Sequence, residues 1–596
     1  MKGNKGIRLS TGLLPALARS AVLWAGVLPA VVSPNPLPLS DFVRSFFSPR
    51  SGAALEQANG QDLSGTFEVL WGDPPPGSNR AAQTSYWLRD KQGNAYRLQL
   101  DPLADPGRWL PLNGQVVALK ARPVGPLVPA REGAADPVLR VDAVTALSPQ
   151  TPTAPALTGS QPWVSVLCQF SDVAAQPKDL TYFLNMFAGA APSLDHYWRE
   201  LSYDKINMTG SGAFGWYVLP KPRSYYVYDM NGDGKAEANL DRAANDCTAV
   251  ADPYVHFPSY VGINLMFNSE LDGLAWGGSR TVNVDSQVRS FRMTWEPPWG
   301  YEHISAMAHE MGHGFGLPHS SGQYGQTYDN DWDVMSWPWL CNPRHPVYGC
   351  TGQHTISPYK NSLGWFDAGQ VFYAPKGRST ITLDRLDLSA AAHYRMAIIP
   401  LADESYYSVE ARRRSAGSYD AQLPGDAVII HRVDSGRAYV LDVDNNGKTG
   451  DAGAMWTAGE TFVDPVNPVE IRVDSETATG YVVTIHVIVP PSSFRKSAPA
   501  SGTAGAARTP TISWEAGSGA TSYEYCFDTT NDSACAGSWM SAGSATNATL
   551  SGLTPGAVYY WQVRAVNTAG KAEADDGAWW SFKAAFQGLL PLVLAQ

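Results

Sequence analysis

The segment HEMGHGFGLPH, His309 to His319, does most to restrict what this chain can fold into. On a helix, residues four apart share a face, so His309 and His313 project together, close enough to reach one tetrahedral zinc ion. Gly316 can take the positive φ that ends a helix, and Pro318 discourages its continuation, so the chain swings back and presents His319 as a third ligand. Three protein ligands leave a fourth position for water and substrate, as a reacting site requires and a structural site does not. Glu310 lies beside the ligands without being needed as one; it is placed to take a proton from an attacking water and deliver it to a leaving amine. At this chain's own residue frequencies the five defined positions coincide by chance roughly 3 times in 100,000.

At 596 residues the chain outgrows a single hydrophobic core, so several domains are expected. Residues 1–33 carry Lys2, Lys5, Arg8 and Arg19 before an apolar run, Ala21 to Val32, that ends in small residues; this reads as an export signal. The run is shorter than the ~20 apolar residues of a spanning helix, and the tail 585–596 is shorter still, so no membrane span is expected in the mature chain. Residues 51–150 alternate short apolar runs with Gly, Pro and Asp turns and predict a β-rich N-terminal domain or propeptide. The stretch 151–160, rich in Thr, Pro and Ala, reads as an exposed linker. Residues 161–365 mix strand signals (Trp163 to Phe170) with helix signals (Asp179 to Phe187, Leu194 to Leu201) around the histidine segment, and 366–489 return to strands with the pattern of a β-sandwich. A second linker, 490–510, precedes a small sandwich-like module at 511–584.

The spacing HExxHxxGxxH resembles that of the metzincins, a family of zinc metallopeptidases. The resemblance implies a methionine turn beneath the metal, which DWDVMSW (Asp331 to Trp337) supplies, with Met335 as an apolar floor and not a ligand. VLCQFSD (166–172), LDHYWRELSYDKINMTG (194–210), GWY (215–217) and LGW (363–365) are similar to the immune-inhibitor-A and gametolysin-like group, as are 407–420 and 425–434 to the β-domain that follows in that group. LTPGAVYYWQVRAVNTAG (553–570) resembles the last strands of a fibronectin type III module. The implied architecture is multidomain α+β: a zincin-type catalytic domain, with a twisted mixed sheet and an active-site helix, flanked by β-rich domains. The implied activity is secreted, zinc-dependent cleavage of peptide bonds in extracellular proteins. Trp337 stands where some metzincins have a metal-proximal tyrosine, so the resemblance assigns no side chain to the developing oxyanion.

Six cysteines in an exported chain favour bridges: Cys341 with Cys350 and Cys526 with Cys535 by proximity, leaving Cys168 and Cys247 as a third pair, although six cysteines allow 15 pairings. No cysteine precedes Cys168, so a thiol from the N-terminal region cannot block the metal. Asp229, Asn231, Asp233 and Gly234 open like a calcium loop, with Glu237 and Asp241 near an irregular end; Asp442, Asp444 and Asn446 open another. A solvated Asx turn explains either equally simply. A net charge of -11 without a long basic run excludes nucleic acid as a natural partner. The expected partner is a protein or peptide substrate, with a glycan or cell-surface ligand as a candidate for the C-terminal module. The rival reading is an exported adhesion or glycan-binding protein with a non-catalytic zincin fold.

Overall fold

The computed structural model describes residues 61–100, 106–124, 138–147, 156–230, 232–322, 327–341 and 343–586. The expected export signal, residues 51–60, most of the first linker, Asn231 and the tail beyond residue 586 lie outside the described residues.

The chain is multidomain and mostly β. Five strands, β1 (Gln61–Asp73), β2 (Gln83–Arg89), β3 (Ala95–Gln99), β4 (Val116–Pro123) and β5 (Val138–Ala146), build the N-terminal domain. Side chains alternate across a strand. In β1, Phe67, Val69 and Trp71 therefore fill the domain's own core with Leu88, Val117 and Leu119, while Leu70 turns to the core of the next domain.

The central region runs β6 (Gly159–Ser160), β7 (Trp163–Gln169), α1 (Leu180–Met186), α2 (Leu194–Ser202), β8 (Ile206–Asn207), β9 (Gly212–Val218), α3 (Arg223–Tyr226), β10 (Val227–Tyr228), β11 (Glu237–Ala238), α4 (Leu240–Ala251), β12 (Gly262–Phe267), β13 (Ala275–Val284), β14 (Gln287–Glu296), α5 (Pro298–Tyr301) and α6 (Ile304–Gly314). The helix starts expected near Asp179 and Leu194 are capped by Asp179 and Ser193, whose side chains accept from the backbone N–H three residues on. β13 and β14 form a hairpin whose two turn residues, Asp285 and Ser286, have φ of 49° and 58°, the conformation that matches strand twist in a two-residue loop. β12 is buried along its whole length because helices cover both faces of the sheet there.

The sheets do not respect the domain borders expected from sequence. β1 pairs antiparallel with β13, so the N-terminal domain and the central region share one ten-stranded sheet in the order β2-β3-β5-β4-β1-β13-β14-β12-β7-β9. In the region 366–489 two sheets share a core around Leu383, Val409, Ile430, Ile471 and Val483. One of its sheets, however, also takes in Ser321–Gly322, and its outer face (Ala427, Ile429, Val433, Ala438) packs into the core beneath α6. The second expected linker is partly folded: Lys496–Ala498 and Thr503–Ala506 are strands of the C-terminal module, with Phe494 in its core. Disulfides join Cys168 to Cys247, Cys341 to Cys350 and Cys526 to Cys535. Among the described residues no helix is long and apolar enough to cross a membrane.

Candidate metal centre

Helix α6 is buried along its whole length, on the sheet side against β13 and on the other against the 331–337 turn. Glycine makes both approaches close. A Cβ on Gly277 of β13 would lie 2.4 Å from the Glu310 carbonyl oxygen, and one on Gly312 would lie 2.4 Å from Met335 Sδ. The helix ends as expected: Gly316 has φ of 93°, and Leu317 N donates to Gly312 O over 3.0 Å.

This geometry brings His309, His313 and His319 together. Their Nε2 atoms are 3.2, 3.2 and 3.1 Å apart. His309 Nδ1 lies 2.7 Å from Val334 O and His313 Nδ1 2.8 Å from Leu317 O. A carbonyl oxygen only accepts, so both Nδ1 atoms carry the proton and both Nε2 lone pairs face the common centre. Met335 is fully buried, and the turn that holds it is tied by Asn330 and Asp333 to its own backbone.

A fourth group joins them that the sequence did not reveal. Asp73, the last residue of β1, places Oδ1 2.9 Å from His319 Nε2 and Oδ2 3.4 Å from both His309 Nε2 and His313 Nε2. Ligand atoms about 2.0–2.1 Å from a tetrahedral zinc are about 3.3 Å from one another, so the three nitrogens and the carboxylate fit that ion. Asp73 Oδ2 and Glu310 Oε2 are buried and make no hydrogen bond among the described residues, as expected of atoms facing a cation. Burial, with the carboxylates of Asp73 and Glu296 nearby, pushes the Glu310 carboxyl well above its usual range.

Tyr328 is the second unforeseen member. Its hydroxyl donates to Asp73 Oδ1, and its ring lies 5.8 Å from that of His319. It sits at φ of 67° in the loop between His319 and the methionine turn. A tyrosine in a Gly- and Asp-rich loop gives no pattern by which to find it.

The first calcium-like loop holds itself together. Asp229 accepts from the backbone N–H of Gly232, Asp233 and Gly234. Glu237 lies on β11. The Asp241 carboxylate is engaged instead by Arg89 and Arg280. In the second loop Asp442 and Asp444 meet Asp451, a residue outside the expected set of Asp442, Asp444 and Asn446. Asn446 donates to Asp444 and Asp451. The same loop braces the methionine turn, since Trp332 Nε1 donates to Thr449 O over 2.7 Å.

No family model and no curated protein matches the chain. Among solved structures, FN3tt mut is 18% identical over 16% of this chain and 93% of its own, with a TM-score of 0.11. A Fn3-like protein from Clostridium thermocellum is 20% identical over 17% of this chain and 94% of its own, with a TM-score of 0.12. A fibronectin type III domain derived from human KIAA0970 protein is 19% identical over 17% of this chain and 80% of its own, with a TM-score of 0.13.

Proposed function

We propose that the chain is a secreted zinc-dependent endopeptidase of the metzincin type. The observation that carries this reading is the convergence of three imidazole Nε2 atoms within 3.2 Å of one another, on a helix that also presents the buried Glu310. His309, His313 and His319 would hold the zinc, whose chemistry is that of a Lewis acid toward water and the scissile carbonyl. Glu310 takes the proton from the attacking water and returns it to the leaving amine, from a position on the same helix as two of the ligands and buried with them. The Tyr328 hydroxyl faces the same centre and donates to the oxyanion as it forms, the part the resemblance leaves unassigned. Met335 and the Asn330–Asp333 turn fix the ligands from below. In the second loop Asp442, Asp444 and Asp451 would take calcium, and so stiffen the contact with the methionine turn.

The test is cleavage of a mixed peptide library by the chain cut within residues 150–155, with and without a zinc chelator, beside zinc-loaded Glu310→Ala. Chelator-sensitive cutting that is lost in the variant supports the reading. A zinc-loaded, cut chain that hydrolyses nothing refutes it.

A further inference from the structure

Arg292 is a charged group that the chemistry above leaves unused. It lies on β14, pairs across the sheet with Ser279 of β13, and faces α6, since a Cβ on Gly314 would fall 3.2 Å from Arg292 Cβ. Gly314 follows His313 directly. The central carbon of the guanidinium lies 5.0 Å from the centre of the Phe315 ring, and Nη1 donates to Gln161 Oε1 over 2.7 Å. Gln161 is itself buried, and it is neutral. Among the described residues no carboxylate pairs with Arg292, so burial acts alone on its pKa and lowers it from 12.5 to about 10. The group therefore keeps its charge at neutral pH with no anion to balance it. It is not sealed in: with Gln161, Ser279 and Ser290 it lines a cavity of about 430 Å³, and Ser290 is exposed. A water molecule takes ~30 Å³ in the liquid, so the space has room for a side chain and not merely for an ion.

We propose that this cavity is a substrate subsite, in which Arg292 receives the carboxylate of an Asp or Glu side chain on the N-terminal side of the bond that is cut. The proposal rests on the peptidase reading above and gives it a substrate class. A carboxylate suits the guanidinium better than any neutral group, because it accepts two parallel N–H bonds and supplies the missing charge. With water already excluded from one side of Arg292, the pair is stronger than one on an open surface. The position of the acidic residue follows from β13. The strand that pairs with it, β1, runs antiparallel, with Asp73 at the histidines opposite Ala275 and Leu70 opposite Gly278. A peptide strand added to β13 in the same sense runs back toward its own N-terminus as β13 runs forward. Ser279 is four residues beyond Ala275, so the peptide residue that faces it lies four before the one at the metal centre. Residues opposite one another across a sheet turn their side chains to the same face, and for Ser279 that face is the face of Arg292. Ser279 is the one side chain between them in that row, and it is small.

The test uses the zinc-loaded chain cut within residues 150–155 and peptides that differ only in carrying Asp or Asn at successive positions before the cleaved bond. Cleavage gives the Asp-to-Asn ratio of kcat/KM, and fluorescence anisotropy of the same peptides on zinc-loaded Glu310→Ala gives the ratio of affinities without any cleavage. Both ratios should reach at least tenfold, with the largest at about the fourth position. Arg292→Met should bring both to within about twofold of one. Arg292→Lys keeps the charge but not the paired N–H bonds, so it should retain an intermediate preference, and it serves where the Met variant fails to fold. A wild type that cleaves without preferring Asp, or a preference that Arg292→Met keeps, overturns the inference while the peptidase reading stands. Binding of Asp peptides that depends on Arg292, with no cleavage by any form, refutes the peptidase reading and the subsite with it, and leaves a site for acidic peptides.

Discussion

Glu68 offers a way to loosen the N-terminal domain without touching the metal centre. It lies on β1, is 1% exposed, and accepts from Arg89 Nε at 3.3 Å, Arg280 Nη1 at 3.4 Å and Thr281 Oγ1 at 3.0 Å. Arg280 and Asp241 belong to the central region and pair at 2.5 Å, while Arg89 reaches Asp241 from the N-terminal side at 3.0 Å. Two guanidinium groups and two carboxylates thus balance in a largely buried interface. Glu68→Gln keeps the shape and leaves one positive charge unmatched. Removing one partner of a buried pair costs about 3–5 kcal/mol, and because the retained amide still accepts and the lost contacts are long, about 2–3 kcal/mol is expected here. At 1.4 kcal/mol per tenfold, that raises the undocked population about 30- to 150-fold. Two assays read it: peptide cleavage by the uncut, zinc-loaded chain, and hydrogen exchange of the β13 amides, which should quicken together. Arg122→Ala is the control, since its bridge to Asp142 is exposed on both sides and should change neither. If Glu68→Gln leaves exchange in β13 and the uncut rate within twofold of wild type, the buried network does not hold the domain in place and the reasoning fails.

Three further outcomes are expected. Tyr328→Phe, in the cut chain, should lower kcat about 10- to 100-fold with KM and zinc content unchanged; an equal loss of zinc would mean that the tyrosine holds the site together instead. Gly277→Ala must push α6 off β13, because its Cβ would sit 2.4 Å from Glu310 O and 2.8 Å from Glu310 Oε2. It should cost about 1–3 kcal/mol of stability and at least about tenfold in kcat, and a variant as active as wild type would refute the close contact. Burial, with the Arg412 charge, lowers the pKa of His431 to about 4 from its usual 6.5 against the pull of Glu410. The unfolded chain then binds the proton first, so this stability is present above pH 6.5 and lost as pH falls toward 4, by at most about 3 kcal/mol. Urea midpoints between pH 7 and 4 should fall less steeply for His431→Gln than for wild type, and parallel curves would exclude His431.

What could be read from the sequence was local. His309, Glu310 and His313 are set by helix period, His319 by a glycine three residues further on, and Cys341 pairs with Cys350 only nine positions away. What could not be read depends on tertiary pairing. Asp73 ends an ordinary alternating strand, and the hydroxyl it accepts from is 255 residues away. Asp241 looks like part of a cation loop because Asp229 and Asp233 are close in sequence, yet its guanidinium partners are 39 and 152 residues away. The Pro- and Ser-rich stretch 490–510 has the composition of a linker, but Phe494 and Ala506 alternate into a core that no composition reveals. The common border of β1 and β13 is illegible in the sequence for the same reason: nothing in either strand says which edge it joins.

That border also explains why one device can serve both restraint and recognition. An edge strand beside a reactive centre is a hazard, because it will pair with any extended segment that arrives. Covering it with a strand of the same chain removes the hazard at high effective concentration, and severing 147–156 abolishes that advantage at one stroke. The register then matters more than the pairing. Side chains point to alternate faces, so sliding β1 by one residue would turn Asp73 away from the histidines and bring Gly72 in its place. Gly65, where a Cβ would fall 2.1 Å from Arg89 O, locks β1 against β2, and Gly278, where one would fall 2.4 Å from Val69 O, locks it against β13. Restraint at the metal centre is therefore written into glycines remote from it in sequence as much as into the aspartate that makes the contact.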